Sequence, residues 1–345
     1  MGGGAIMTSE VPLVSVVMPV YNAGPSLQRT LDALAAQTHP RCEFLCVNDG
    51  STDDSLTVLQ AQAARDPRFR VIDQGNAGAY RARFTGIDAA QGDYLAFCDA
   101  GDLPAPTMVE RLVKEAEKTD ADLSVCAYRR ASLGGHEKAR PEMTAFCTGA
   151  RAATPESGWL VTVNTALWNK LYRRDLVASL EPLPDPPRVA EDALFLLELY
   201  PHVGTVAFTE EPLYDYVVEE GSAMQQVSAE DFGQTVEAWR EVRRRLAAKS
   251  PAYLELFDLA AFVHLGISLP TRMGGCLPYR DIRTTVDREF PQQRCTSLLS
   301  RESLRKHPGL RTAAFAHGLY RAGLMTPALG AYNLLNRLSP SEIKW

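Results

Sequence analysis

The sequence predicts an α/β fold with a mostly parallel central sheet, followed by a helical C-terminal region. Short apolar, β-branched runs alternate with helical patterns early in the chain, and the connections between them are short. From about Asp231 the pattern is helical and no strong strand pattern recurs. With 345 residues, 46% of them hydrophobic and 23% charged, the chain has an ordinary globular composition and enough length for a layered core.

Each element is predicted from its own local pattern. The run Val14–Val17 predicts a buried strand, and Pro25 opens a helix with Leu27, Leu31 and Leu34 on one face. Further strands or helices are predicted at Phe44–Val47, Leu56–Ala63, Arg70–Ile72, Ala79–Ala89, Tyr94–Cys98, Asp122–Ala127, Glu191–Tyr200, Thr205–Phe208 and Leu213–Val218, with a loop at Ser132–Thr154. We therefore expect a disordered tail at residues 1–11, an α/β domain at 12–224 and a helical domain at 225–345.

Composition excludes several classes of protein. The net charge of −6 disfavours nucleic-acid binding through a broad cationic surface. The seven cysteines contain no C-x-x-C pair, so we expect small buried side chains in a reducing compartment and not a disulfide frame or a zinc site. The N-terminus lacks the pattern of a secretory signal, and the most apolar stretch, Leu254–Leu269, is interrupted by charged residues. We expect a cytoplasmic protein, peripheral on a membrane at most.

Polar clusters follow the predicted strands at their carboxyl ends. Tyr21-Asn22 follows the first strand, Asn48–Asp53 the second and Asp99–Asp102 the fourth. In open parallel sheets, ligands bind beyond the carboxyl ends of the strands. The sequence therefore predicts a site at this edge.

Three stretches in order resemble the inverting family-2 glycosyltransferases, which have the Rossmann-like GT-A fold. They are Val14-Ser-Val-Val-Met-Pro-Val-Tyr-Asn22, Val47-Asn-Asp-Gly-Ser-Thr-Asp53 and Gly92-Asp-Tyr-Leu-Ala-Phe-Cys-Asp99. The resemblance covers about residues 12–220 and extends to the bacterial capsule and lipopolysaccharide branch. It implies a domain that binds a nucleotide sugar at residues 12–224.

The resemblance implies a nucleotide site made by Pro19, Tyr21, Asp49, Arg83 and Asp99. Asp49 is expected to accept a hydrogen bond from the ring N–H of uracil, because an ionised carboxylate offers only acceptors. Its alternative role is that of a turn residue bonding backbone N–H groups. Arg83 suits a base carbonyl or a phosphate, although Phe84 replaces the family's usual Asn. Asp53 is expected to cap the helix that follows in preference to binding ligand.

The stretch Asp99-Ala-Gly-Asp102 occupies the place of the family's D-x-D metal motif. The resemblance implies Mn²⁺ or Mg²⁺ held by Asp99 and Asp102 against the diphosphate. Gly101 replaces the middle carboxylate of the usual D-x-D-D form, so the ion would have fewer protein ligands. The alternative is a pair of structural Asp residues at a strand end and a turn.

Glu191-Asp192 matches the family's late acidic pair, whose Asp is the catalytic base. The chemistry needs one carboxylate beside the acceptor hydroxyl to remove its proton, and the resemblance assigns Asp192 to this role, with Glu191 as a lesser candidate. The alternative is that acidic residues simply favour the first turn of a helix. Trp168 and Lys170 are candidates for acceptor or phosphate contact, with a core role for Trp168 and Leu171 as the equal alternative.

We therefore expect an inverting glycosyltransferase that moves a sugar from a nucleotide diphosphate, UDP by preference, to a glycan or lipid-linked glycan acceptor. A sugar-nucleotide nucleotidyltransferase is the second hypothesis, but the chain lacks that class's glycine-rich, basic N-terminal loop. A catalytically weakened GT-A-fold binding protein is the third, supported only by Gly101. The basic stretches Trp239–Arg245 and Arg311–Arg321 could place the C-terminal helices on an anionic membrane, with a solvated helix face as the commoner explanation.

Overall fold

The computed structural model describes residues 11–132, 135–139, 149–217, 227–273 and 275–326. The chain divides into two compact units, each assembled from separate stretches. Unit 1 comprises residues 1–140, 167–179 and 207–217, and unit 2 comprises 141–166, 180–206 and 218–345. Residues 1–10 of the predicted tail and the predicted boundary at 224/225 lie outside the described residues.

The helices and strands follow one another in the order expected for the first half of the chain. In chain order they are β1 (Val14–Val20), α1 (Leu27–Ala35), β2 (Cys42–Asp49), α2 (Ser55–Arg65), β3 (Phe69–Gln74), α3 (Ala79–Ala89), β4 (Tyr94–Phe97), β5 (Leu103–Pro104), α4 (Met108–Thr119), β6 (Leu123–Ser132), β7 (Gly135–Ala139), β8 (Gly149–Ala152), β9 (Lys170–Arg173), α5 (Arg174–Ala178), α6 (Glu191–Leu199), β10 (Thr205–Val217), α7 (Ala229–Lys249), α8 (Leu254–Ala261), α9 (Leu269–Arg272), α10 (Tyr279–Glu289), α11 (Arg301–Lys306) and α12 (Leu310–Arg321).

The central sheet has the strand order β3-β2-β1-β4-β9-β6-β10-β5. Strands β1 to β4 pair in parallel, which confirms the predicted α/β architecture. From β9 onward the observed pairs are antiparallel: β9 pairs with β4 and β6, and β5 pairs with β10. The parallel half aligns the carboxyl ends of β1, β2 and β4 at one edge, which is where the polar clusters were predicted.

Helix α3 packs closely against strand β1. All but one of the residues of β1 are buried, as its β-branched run predicts. A methyl group built on Gly86 of α3 would lie 2.3 Å from Cγ1 of Val17, so only glycine allows the helix to approach this closely. The same helix carries Arg83 toward the carboxyl edge.

The structure corrects two predictions about strands. The stretch Ser132–Thr154, predicted as a loop, contains β7 and β8. The strands predicted separately at Thr205–Phe208 and Leu213–Val218 are one continuous strand, β10. Pro212 lies inside this strand, two residues before Tyr214, where the pairing with β5 begins.

The cysteines whose burial the structure describes follow the prediction with one exception. Cys42, Cys46, Cys98 and Cys126 are buried free thiols, whereas Cys276 is exposed, which corrects the expectation that they are buried side chains. Burial raises the pKa of the Cys46 thiol to about 12, so this group is not a reactive thiolate.

Unit 2 is largely helical among its described residues. A capping box between Ser228 and Asp231 starts α7. Helical residues Pro251–Arg272 are long and apolar enough to cross a membrane, but 67% of their most apolar window is buried inside the protein, as also occurs in a core helix of a soluble protein. Asp258 within this stretch is fully buried and accepts two hydrogen bonds from Arg243, at 2.7 and 2.9 Å.

Candidate active site

Side-chain hydrogen bonds tie together the loops that follow β1 and β2. Asn22 has a φ of 49°, and its side-chain oxygen accepts from the Thr52 N–H at 2.7 Å. The Asp53 carboxylate accepts from the N–H groups of Gly24 and Ser55, each at 3.0 Å. The hydrogen bonds from Ser55 in particular lower the pKa of the Asp53 carboxyl. Ser55 is the first residue of α2, so Asp53 satisfies one N–H at the start of this helix, although the N-cap residue itself is Asp54.

Asp49 is buried at the end of β2 and holds the loop that leads into α3. One carboxylate oxygen accepts from the Gln74 amide at 2.7 Å and the Ala77 N–H at 2.9 Å, and the other from the Gly78 N–H at 2.8 Å. This is the turn role that the sequence left as the alternative. The contact with the base stays a prediction, and an incoming base N–H would share an oxygen that is already bonded.

Arg83 and Asp99 form an ion pair at the carboxyl edge of the sheet. A terminal nitrogen of Arg83 lies 2.9 Å from Oδ1 of Asp99, and the two side chains are 7% and 35% exposed, respectively. The structure therefore brings together two residues of the predicted nucleotide site from α3 and the end of β4. Of this pair, the carboxylate is the group with substantial access to solvent.

The turn Asp99–Asp102 is held from both sides. The Gly101 N–H donates to the Thr30 hydroxyl of α1 at 2.9 Å. The Tyr214 hydroxyl of β10 accepts from the Asp99 N–H at 3.1 Å and donates to Oδ2 of Asp102 at 2.9 Å. Gly101 has a φ of +106°, a conformation that favours glycine. A residue with a side chain would be strained at this position.

An aromatic cluster surrounds Trp168. The indole stacks on Tyr214 at 4.4 Å and on Tyr216 at 5.7 Å between ring centroids, and meets Tyr128 edge-on at 5.0 Å. Trp168 is 6% exposed and Lys170 is fully buried. The burial of Trp168 supports its core alternative, and the contact of both residues with acceptor or phosphate stays a prediction.

Tyr21 and Pro19 lie at the end of β1. Tyr21 is 54% exposed, so its ring is available to a ligand. Pro19 pairs with Val47 in the parallel ladder of β1 and β2, which places it two residues before the exposed ring. This arrangement does not test whether either residue contacts the nucleotide, so both contacts stay predictions.

The family model for "Glycosyl transferase family 2" matches residues 15–180 of the chain. These residues contain β1 to β4 and both ends of the Arg83–Asp99 pair. The chain carries a family-2 glycosyltransferase domain. The family confirms the resemblance drawn from the three sequence stretches.

Relatives and solved structures agree with this family. The chain is 34% identical over 216 residues to the uncharacterized glycosyltransferase EpsJ of Bacillus subtilis, covering 60% of this chain and 61% of EpsJ. It is similar in fold to S. aureus TarS 1–349 in complex with UDP, with a TM-score of 0.67, 18% identity and coverage of 92% of both chains. A mannosyltransferase from Pyrobaculum calidifontis in complex with GDP-Man and Mn²⁺ has a TM-score of 0.53 at 17% identity, covering 97% of this chain and 89% of that one. These structures establish the GT-A fold, and the chain spans about three fifths of EpsJ's length.

The glycosyltransferase domain offers few ligands for a divalent cation. No group of three or more His, Cys, Asp or Glu side chains with metal-binding geometry occurs in the part of the chain that the structure describes. Both oxygens of Asp102 accept hydrogen bonds from the protein, from the Tyr214 hydroxyl and the Val217 N–H. Asp99 is the carboxylate of this turn that is part-exposed. A cation here would depend on Asp99 and on oxygens of the donor diphosphate.

Glu191 and Asp192 lie in unit 2, in the first turn of α6, as predicted. Both side chains are part-exposed. Ala190, which precedes them, has a φ of 60° and a ψ of 22°, in the left-handed region that non-glycine residues rarely adopt. A strained residue at the start of a helix is a feature found at functional sites, and it motivates a functional test of this pair.

Two residues of the site were not singled out from the sequence. Thr30 lies on the buried face of α1, and Tyr214 lies in β10, more than a hundred residues from the turn that it contacts. The signal available for Tyr214 was the alternation of Tyr214 and Tyr216 in a late strand. That pattern predicts a strand with two aromatic residues on one face, but it does not identify their partners.

Proposed function

We propose that the protein is an inverting glycosyltransferase that moves a sugar from a uridine diphosphate donor to a hydroxyl of a cell-surface glycan. The observation that carries this proposal is the family-2 domain, with Arg83 and Asp99 paired at the carboxyl edge of its parallel sheet. Ligands bind at this edge in sheets of this kind. The UDP in the TarS structure supports uridine as the base.

The nucleotide would occupy the edge lined by Tyr21, Asp49, Arg83 and Asp99. The exposed Tyr21 ring offers a surface on which a base can stack. The buried Arg83 guanidinium supplies positive charge beside Asp99 and can donate to a phosphate. The Asp99 carboxylate can accept from the hydroxyls of a ribose. Asp49 would accept from the base only through an oxygen that already bonds the loop before α3.

Inversion requires one base and one leaving group on opposite faces of the anomeric carbon. The acceptor oxygen forms its bond to that carbon while the bond to the diphosphate oxygen breaks, and the acceptor proton passes to a carboxylate. We assign this proton transfer to Asp192, because it occupies the first turn of α6 behind the strained Ala190. Glu191 is the lesser candidate, one residue earlier in the same turn.

A divalent cation would be shared between Asp99 and the donor diphosphate. Mg²⁺ and Mn²⁺ commonly use one or two carboxylates together with substrate oxygens and water. When bound, such an ion stabilises the negative charge that develops on the leaving diphosphate. The Mn²⁺ in the mannosyltransferase structure supports this cofactor class. Arg83 would supply a further positive charge.

The C-terminal helices present one surface suited to an anionic membrane on the inner face of the cell. The basic run of α7 is paired internally: Arg243 with Asp258, Arg244 with Glu241 and Arg245 with Glu198. By contrast, Phe315 of α12 is 69% exposed, and Arg311 is one helical turn before it on the same face. We therefore assign peripheral contact to α12. Flotation with phosphatidylglycerol vesicles should retain the wild-type protein and release Phe315→Ala, and equal flotation would refute the assignment.

The test of activity is a screen of nucleotide sugars with and without Mn²⁺, followed by a matched pair of variants. Asp192→Asn should lower turnover by about 100-fold or more and leave donor affinity nearly unchanged, because it removes the proton acceptor only. Asp281→Asn is the control, since Asp281 is also in the first turn of a helix, α10 of unit 2. A helix-terminus effect would alter the two variants alike.

The outcomes separate the three hypotheses. Release of UDP from a UDP-sugar supports glycosyl transfer, and turnover of Asp192→Asn within a few-fold of wild type removes Asp192 from the role of base. Formation of pyrophosphate from UTP and a sugar phosphate would identify a nucleotidyltransferase. Binding of UDP-sugar without turnover on a broad acceptor panel would favour the binding protein.

A further inference from the structure

The hydroxyl of Tyr214, a residue of β10, bonds both ends of the turn Asp99–Asp102. It accepts from the Asp99 N–H at 3.1 Å and donates to Oδ2 of Asp102 at 2.9 Å. A phenol has one donor and two acceptor positions, so this hydroxyl uses both kinds. Tyr214 is fully buried, so these hydrogen bonds are shielded from solvent.

Asp102 extends the connection to the end of β10. Its second oxygen, Oδ1, accepts from the Val217 N–H at 2.8 Å, and its residue is only 4% exposed. Asp102 therefore has each oxygen bonded to a donor on β10, at Tyr214 and at Val217. Its backbone carbonyl accepts from the Thr30 hydroxyl of α1 at 2.9 Å, which binds the same residue to a second element.

Asp99 differs from Asp102 in the same turn. Its carboxylate is 35% exposed and pairs with Arg83, while its backbone N–H is held by Tyr214. The turn is thus built with one carboxylate directed into protein and one with access to solvent. A cation has access to the second, whereas the first is buried and each of its oxygens already accepts a hydrogen bond from β10.

We infer that Asp102 is a positioning residue: with Tyr214 it fastens the Asp99 turn to the end of β10, and it does not ligate the metal. This inference rests on the proposed function for its kinetic consequences. Loss of either partner should release Asp99 from the position in which it pairs with Arg83. Turnover should then fall, because transfer requires the diphosphate to be held in one geometry, while the ligands of the cation remain.

The experiment compares Asp102→Asn, Tyr214→Phe and the double variant with Asp99→Asn. The control is Tyr279→Phe. It removes a tyrosine hydroxyl elsewhere, in unit 2, where that hydroxyl donates a part-buried hydrogen bond to the Gly266 carbonyl. With Mn²⁺ and UDP as probes, Asp102→Asn and Tyr214→Phe should each keep the Mn²⁺ half-saturation within about twofold of the wild type. Each should lower kcat about tenfold or more. The kcat of the double variant should be no lower than that of the poorer single variant. Asp99→Asn should raise the Mn²⁺ half-saturation, and Tyr279→Phe should leave both quantities unchanged.

Hydrogen exchange tests the linkage without any ligand. Asp102→Asn should speed exchange of the Val217 amide, and Tyr214→Phe that of the Asp99 amide, whereas Tyr279→Phe should change neither. Unchanged exchange at both amides would overturn the inference. So would a tenfold rise in Mn²⁺ half-saturation for Asp102→Asn that Tyr214→Phe does not share. A wild-type protein that binds no UDP would refute the proposed function instead, and the exchange result would still decide whether Asp102 holds β10.

Discussion

Replacement of Asp49 by Asn separates its two candidate roles. Asp49 is 2% exposed and accepts three hydrogen bonds, from Gln74, Ala77 and Gly78. Asn keeps one acceptor oxygen of nearly the same shape, which can retain Gln74 and Ala77. Its NH₂ group then faces the Gly78 N–H, so one buried donor loses its acceptor and meets another donor.

The expected cost follows from these contacts. Loss of one hydrogen bond to a charged acceptor costs about 1.5–3 kcal/mol, and an unsatisfied buried N–H costs about 1–3 kcal/mol. These contributions overlap, so we expect the free energy of unfolding to fall by about 2–4 kcal/mol. Urea denaturation of the wild type and Asp49→Asn measures this, with an unchanged m-value as evidence that the unfolded state is unaffected.

Asp54→Asn is the matched control, because Asp54 lies in the loop that follows β2 but is exposed. It should change stability by about 0.5 kcal/mol or less. If Asp49→Asn is equally mild, the loop-anchor argument is refuted. Calorimetry with UDP then addresses the nucleotide role: a loss of affinity much greater in Asp49→Asn than in the control supports contact with the base, and equal affinity removes it.

The remaining predictions concern packing and pH. Gly86→Ala should destabilise the protein by about 1–3 kcal/mol or more, since its Cβ would lie 2.3 Å from Val17 Cγ1. The control is Gly233→Ala in α7, where a Cβ meets nothing within 4 Å, and it should be neutral or stabilising by up to about 1 kcal/mol. Equal effects of the two variants in thermal melts would refute the packing argument. Burial, and secondarily Arg272, lowers the pKa of His264 to about 4. The unfolded state therefore takes up this proton first as pH falls, so stability should decrease from about pH 6.5 toward pH 4, by about 2 kcal/mol once the partial exposure of the ring is allowed for. Denaturation at several pH values should show a shallower decrease for His264→Gln, and an unchanged slope would contradict the assignment.

Local sequence patterns were sufficient for the α/β half of the fold. The β-branched run of β1 and the apolar run of β2 predicted buried strands because both faces of a parallel sheet are covered. The helix predicted at Ala79–Ala89 has those bounds in the structure. The polar clusters were located correctly because the carboxyl ends of parallel strands must share one edge.

The partners of the site residues could not be predicted in the same way. Nothing in the D-A-G-D stretch indicates that Asp102 bonds Tyr214, since the two residues are far apart in sequence and the contact depends on the order of the antiparallel strands. Asp49 likewise showed its turn role only when the backbone of Ala77 and Gly78 was placed. Sequence identified which groups carry charge, whereas tertiary structure determined which charges are already satisfied.

The left-handed Ala190 has a consequence for protein engineering. An alanine in this conformation costs about 1–2 kcal/mol that glycine would avoid, although glycine also gives the unfolded chain more freedom. Alanine keeps the start of α6 at a fixed residue, whereas glycine would permit the helix to begin at alternative positions. Laboratory evolution for heat resistance would therefore find little penalty at Ala190→Gly. Evolution for turnover would retain Ala190 if the orientation of the neighbouring carboxylates limits the rate.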